Sequence, residues 1–330
     1  MNIQSSIGTN VLANRSFQRA ASTWGAEFHD NITVFLDFGF VTLDQRTVSS
    51  ASYVRDSFTY SEFRNAIGND VTTADDTKMF SGLSEGPSFS IYTNQTSEAP
   101  GTKFELGYLD NNGGPNNTTV TLTTANAKAL GLRDSHSSTV DGVINFNSLY
   151  QWDFDPSDGI EANHLDFFGT ALHEIGHTLG FSSGVDELDN NGGGQFSDDE
   201  LNFVNSLDFL RFSTESEAAG ADLDWTADER DKYFSIDGGL TNAAGVASAW
   251  SKGVNYGDGE QASHWALEGG LGIMDPTTDF GVGNELSNID LTAMDVIGYD
   301  RIFSAVPEPG SLLGWLALGF CFRRHRRVTA

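Results

Sequence analysis

The stretch Thr170–Phe181, TALHEIGHTLGF, constrains the fold more tightly than any other part of the chain. It sets His173 and His177 four residues apart, with Glu174 directly after the first. On an α-helix, positions i and i+4 lie one above the other on the same face, so both imidazoles can reach one ion. Phe168, Leu172, Ile175 and Leu179 make a neighbouring apolar stripe, which predicts a helix buried against a sheet. Gly169, Gly176 and Gly180 leave the histidine face uncluttered. A mid-helix glycine costs about 1 kcal/mol relative to alanine, and open space around a metal accounts for that cost. Glu174 is turned by about 100° from His173 on the helical wheel. From there it can take a proton from a metal-activated water without ligating the metal.

A catalytic zinc usually has three protein ligands and one open position. The short-range place for a third, position 183, holds Ser183, a poor ligand, and Asp186 is three residues too far along. Gly180 permits the sharp turn that ends the helix beneath the metal. His29 and His136 belong to the amino-terminal half, His164 precedes the helix by nine residues, and His325 lies near the end. His264 remains, in GDGEQASHWALEGGLGIMDP, followed by Met274, Asp275 and Pro276.

HEIGHTLGF, the late His264-Trp265 and the IMDP turn together resemble the metzincin zinc metallopeptidases, most of all the leishmanolysin type with its long insertion after the helix. The resemblance implies Zn2+ held by His173, His177 and His264, with Glu174 as the catalytic base. It implies that Met274 forms a hydrophobic floor and is not a ligand. It places a peptide or protein substrate antiparallel to an edge strand of the upper sheet, a place that GVINFN (142–147) occupies in the sequence. LSNIDLTAMDVIGYD (286–300) resembles the family's carboxy-terminal helix. No tyrosine stands two residues after Met274, so no zinc-bound tyrosine is expected.

Elsewhere the pattern mixes helices and strands. FQRAASTWGAEF (17–28) puts Phe17, Ala21, Trp24 and Phe28 on one helical face, and NITVFLDFGF (31–40) alternates as a strand. Helices are expected near 59–68, 74–81 and 125–131, and strands at 88–95, 103–110, 119–124 and 141–148. Beyond Phe181 the chain is loop-rich, with a helix expected over 201–213, a strand and turn at 233–241, and a helix capped by Ser287 and Asp290. The predicted fold class is α/β in the α+β sense: a twisted, mainly parallel sheet carrying the histidine helix, then a loop-rich lower part with the methionine turn and a last helix. The predicted division is an extension at 1–16, a metzincin-like catalytic domain at 17–303 (upper part 17–181, lower part 182–303), and a tail at 304–330. In the acidic loop, Glu187, Asp189, Asn191, Gly192 and Asp198 have spacings near those of a Ca2+ loop, and DFDPSDG (153–159) is a weaker case. A solvated loop is the simpler account of both.

Charge and cysteine usage narrow the function classes. With 46 acidic and 18 basic residues the formal charge is −28, which opposes binding to nucleic acid or anionic membranes. Cys321 is the one cysteine, so disulfides do not build the fold. The amino terminus does not read as a secretory signal. The end does carry a targeting pattern: Val306-Pro307-Glu308-Pro309-Gly310, an uncharged run from Leu312 to Phe322, then Arg323, Arg324, His325, Arg326 and Arg327. These blocks resemble the bacterial PEP-CTERM sorting signal. The resemblance implies export, transient anchoring in the inner membrane, and an exosortase-type processing enzyme as partner. The sequence thus predicts an exported zinc endopeptidase; the alternative is a non-catalytic, metal-binding matrix or surface protein.

Overall fold

The computed structural model describes residues 1–302 except 7, 9, 101–106 and 268. The tail at 304–330, and with it the sorting pattern, lies outside the described residues. No described helix is long and apolar enough to cross a membrane.

The fold is mixed α/β, with one four-stranded sheet and several smaller ones. The main sheet runs in the order Asn2–Ser5, Thr33–Val41, Gly142–Asn147, Ser49–Tyr53. The first three strands are parallel, and Ser49–Tyr53 joins antiparallel at the edge. This corrects one expectation. GVINFN is not an edge strand, because it pairs on both sides; Ser49–Tyr53 is the edge on that side of the sheet. The sequence hides this, because VSSASY has no apolar alternation to announce a strand.

The amino-terminal helix, Val11–Glu27, starts ahead of the apolar face that begins at Phe17, because the Asn10 side chain caps the amides of Leu12 and Ala13. It packs across the histidine helix, Phe167–Leu179, and the Trp24 Nε1–H donates to the Leu172 carbonyl at 2.9 Å. Phe167, at the start of the histidine helix, lies 4.4 Å from Phe146 and 5.0 Å from Phe154, ring centre to ring centre. These aromatic contacts from sheet and loop fix where the helix begins.

Beyond the histidine helix the chain forms short pieces. Residues 201–213 do not form one helix. They give a 3-10 turn, Ser206–Leu210, and a strand, Arg211–Phe212, paired with Tyr233–Phe234. The Asp208 carboxylate caps this turn and ties it to neighbouring segments. It accepts from the amides of Asn205 and Gly184, the Ser183 hydroxyl and the Trp225 indole, and so holds the chain in a local turn. The last described helix, Asn288–Val296, begins with the expected capping box of Ser287 and Asp290.

Candidate metal centre and cleft

His173 and His177 share one face of the histidine helix, and His264 arrives from the loop region to meet them. The Nε2 atoms of His173 and His177 are 3.0 Å apart, and that of His264 is 3.2 Å from each. Among the described residues, this is the one group of three or more His, Cys, Asp or Glu side chains that converges in this way.

A local contact orients each ring. Gly180 takes a φ of +123° and turns the chain so that the Phe181 carbonyl folds back to 2.7 Å from His177 Nδ1. The Ile273 carbonyl lies 2.7 Å from His173 Nδ1, and the Gln261 carbonyl 3.1 Å from His264 Nδ1. A carbonyl only accepts, so each Nδ1 carries the proton and donates. Each Nε2 is then a bare lone pair, and the three close Nε2 contacts are not hydrogen bonds.

Burial holds the rings in this neutral form. It lowers the pKa of all three, and neighbouring histidines push in the same direction for two of them. His177 falls well below its usual value, and His264 falls to about 3. Three lone pairs aimed at one point repel one another unless a cation sits between them. Tetrahedral zinc with Zn–N bonds of about 2.0–2.1 Å needs nitrogens spaced by about 3.3 Å, so the donor set and its spacing fit that ion.

Trp265 accounts for the return of His264 over the 87 residues that separate it from His177. Its buried ring packs 4.4 Å from Trp250, 5.0 Å from Phe181 and 5.4 Å from Phe234. Its Nε1–H donates to Asp290 Oδ1 at 2.7 Å. Asp290 also accepts from the Ile273 amide at 2.9 Å and from the Ser287 amide and hydroxyl at 2.8 Å each. One carboxylate thus joins the third histidine's neighbour, the methionine turn and the last helix. Desolvation raises its pKa, and the donors work against that rise. The sequence offers Asp290 only as a cap; nothing in it signals these other bonds.

Met274 is fully buried and packs against the histidine helix at Gly176. A β-carbon at Gly176 would lie 2.5 Å from Met274 Sδ. The glycine is therefore a docking notch for the methionine, a more specific role than open space.

Glu174 is buried, and burial raises its pKa to about 7. Among the described residues its one hydrogen-bonding side-chain partner is Ser49, whose hydroxyl donates to Oε1 at 2.5 Å and draws the pKa back down. Sequence reading missed Ser49, and no local signal marks it. Glu174, the three histidines and the edge strand line a common cleft of about 660 Å³, which also reaches Tyr53, Asp186 and Pro276.

Among the described residues, the carboxylates of the expected calcium loop form no metal-sized cluster of three or more. Glu187 pairs with Arg55, and Asp189 accepts from the amides of Asn255 and Tyr256. Asn191 bonds the backbone of Gln95 and Phe196, and Asp198 accepts from the Tyr108 hydroxyl. Gly192 lies against the Tyr256 ring. In the 153–159 segment, Asp153 accepts from the amides of Asp155 and Glu161. No family model, curated protein or solved structure matches the chain.

Proposed function

We propose that the chain is a zinc-dependent endopeptidase of the metzincin type. The single observation that carries this reading is the placement of a buried carboxylate, Glu174, in the same cleft as three converging imidazole lone pairs. A purely structural metal needs the histidines but gives no role to Glu174.

His173, His177 and His264 would hold the ion, and their Nδ1–H bonds to backbone carbonyls keep the rings in the ligating tautomer. When bound, zinc supplies Lewis-acid polarisation of a carbonyl and lowers the pKa of water to near 7. Glu174 takes the proton from the attacking water at its second oxygen and delivers it to the departing amine. The substrate pairs with the edge strand Ser49–Tyr53. In an antiparallel pair, alternate residues direct their amides and carbonyls away from the partner strand. Asn147 donates to the Val48 carbonyl and Val54 to the Asp141 carbonyl. In this register Ser49, Ala51 and Tyr53 turn their peptide groups outward. Residues 48–51 and 53 line the cleft.

The tail at 304–330 fits the same reading. It would anchor an exported chain transiently in the inner membrane until an exosortase-type enzyme cuts it. Replacing Glu174 with Gln tests the chemistry. The variant is expected to keep its zinc and lose cleavage of unfolded casein by about 10²–10⁴-fold, the usual contribution of a general base. A variant that keeps wild-type activity contradicts the proposed mechanism.

A further inference from the structure

Among the described residues the hydroxyl of Ser49 makes the one side-chain hydrogen bond to the proposed base, and it comes from the strand proposed to dock substrate. Two properties meet at this residue. Its peptide group faces the open edge, as derived from the register above. Its side chain crosses to the histidine helix and holds Glu174 Oε1 at 2.5 Å. Ala51 shares its face but has no donor, and the Tyr53 hydroxyl is engaged by Arg55. Among the described residues, Ser49 alone joins the edge strand to the base.

We propose that Ser49 is a positioning residue, which fixes the Glu174 carboxylate through Oε1, leaves the second oxygen for the water, and links docking of the substrate strand to alignment of the base. A carboxylate buried in a cleft can rotate about its last torsion, which is a broad, roughly two-fold well. One fixed oxygen selects one rotamer. A substrate paired at the backbone of Ser49 restrains the same residue and hence the same rotamer. A serine that merely satisfied a buried oxygen would affect stability and leave turnover alone.

This inference rests on the peptidase reading, and its test separates the two. In the zinc-loaded full chain, isotope-edited infrared spectra of wild type minus Glu174→Gln isolate the Glu174 carboxylate band. That band is expected to shift in Ser49→Ala and to return in Ser49→Thr, whatever the activity. On a casein-derived peptide, Ser49→Ala is expected to lower kcat about tenfold or more, with KM within about twofold, because the lost interaction acts on the chemical step. Ser49→Thr restores kcat, and Ser49→Cys, with its weak S–H donor, falls between. If Ser49→Ala does not fold, the threonine and cysteine pair carries the comparison.

An unmoved band, an unchanged kcat, a change confined to KM, or a threonine variant no better than alanine overturns the positioning role and leaves the peptidase reading standing. A zinc-loaded wild type that cleaves no peptide removes both.

Discussion

At the scale of single residues, one buried acid outside the histidine motif ties the parts of the site together. Asp290 accepts bonds from Trp265, Ile273 and Ser287, and is fully buried. Removing a buried acceptor strands its donors at about 1–3 kcal/mol each. Asp290→Ala is therefore expected to lose at least about 3 kcal/mol in urea unfolding, and to weaken zinc binding because Ile273 orients His173. A variant with wild-type stability and affinity contradicts the role given to this carboxylate. The histidine pair and Glu174 were legible from spacing alone, since an i, i+4 pair can only face one way on a helix. His264 was legible by elimination and resemblance. Ser49 and the linking role of Asp290 were not, because a hydroxyl or carboxylate acting across 125 or 25 residues leaves no periodic trace.

Among the elements, the histidine helix and the methionine turn are fitted to each other. Gly176→Ala gains about 1 kcal/mol of helix propensity but puts a β-carbon 2.5 Å from Met274 Sδ. Overpacking of this kind costs about 1–3 kcal/mol, so the single variant is expected to be destabilised overall. Adding Met274→Ala should relieve part of that clash, giving a favourable coupling in a double-mutant cycle read by chemical unfolding. Strictly additive effects contradict the docking notch. The helices expected near 59–68 and 74–81 are present as Tyr60–Asp70 and Ala74–Gly82, and Ser287 with Asp290 caps the last described helix as its local spacing suggests. The edge strand was misplaced, because which strand of a sheet stays unpaired depends on topology, and the alternation of one segment does not encode it. The expected helix at 201–213 is reduced to the 3-10 turn Ser206–Leu210, where Asp208 caps the Asn205 amide and is also tied to the Gly184 amide outside the segment.

Across the whole molecule, acidity has its own pH signature. Desolvation raises Asp30 to about 6, Asp295 to about 7 and Asp70 to about 8, and neighbouring aspartates add to each rise. Above the usual value of 3.8 and up to these raised values, the folded chain holds more protons than the unfolded one. Stability from this group is therefore complete below 3.8 and is lost progressively as pH rises from there to about 6 to 8. The buried histidines act oppositely: their depressed values cost stability as pH falls below 6.5. Asp70→Asn is thus expected to raise the urea midpoint at pH 8.5 by more than at pH 5, and to change it little below the usual carboxyl value of 3.8. An equal effect at both pH values contradicts the assignment. The mixed α/β class and the mainly parallel sheet with its helices were legible from hydrophobic periodicity. The way the loop region folds back was not, because aromatic packing around Trp265 directs it. The central claim is that three imidazoles from two distant segments hold one ion, and metal stoichiometry tests it most directly. Elemental analysis of the purified full chain should find one zinc per wild-type molecule and essentially none in His264→Ala. A wild type that binds no zinc, or a His264→Ala variant that retains it in full, contradicts the claim.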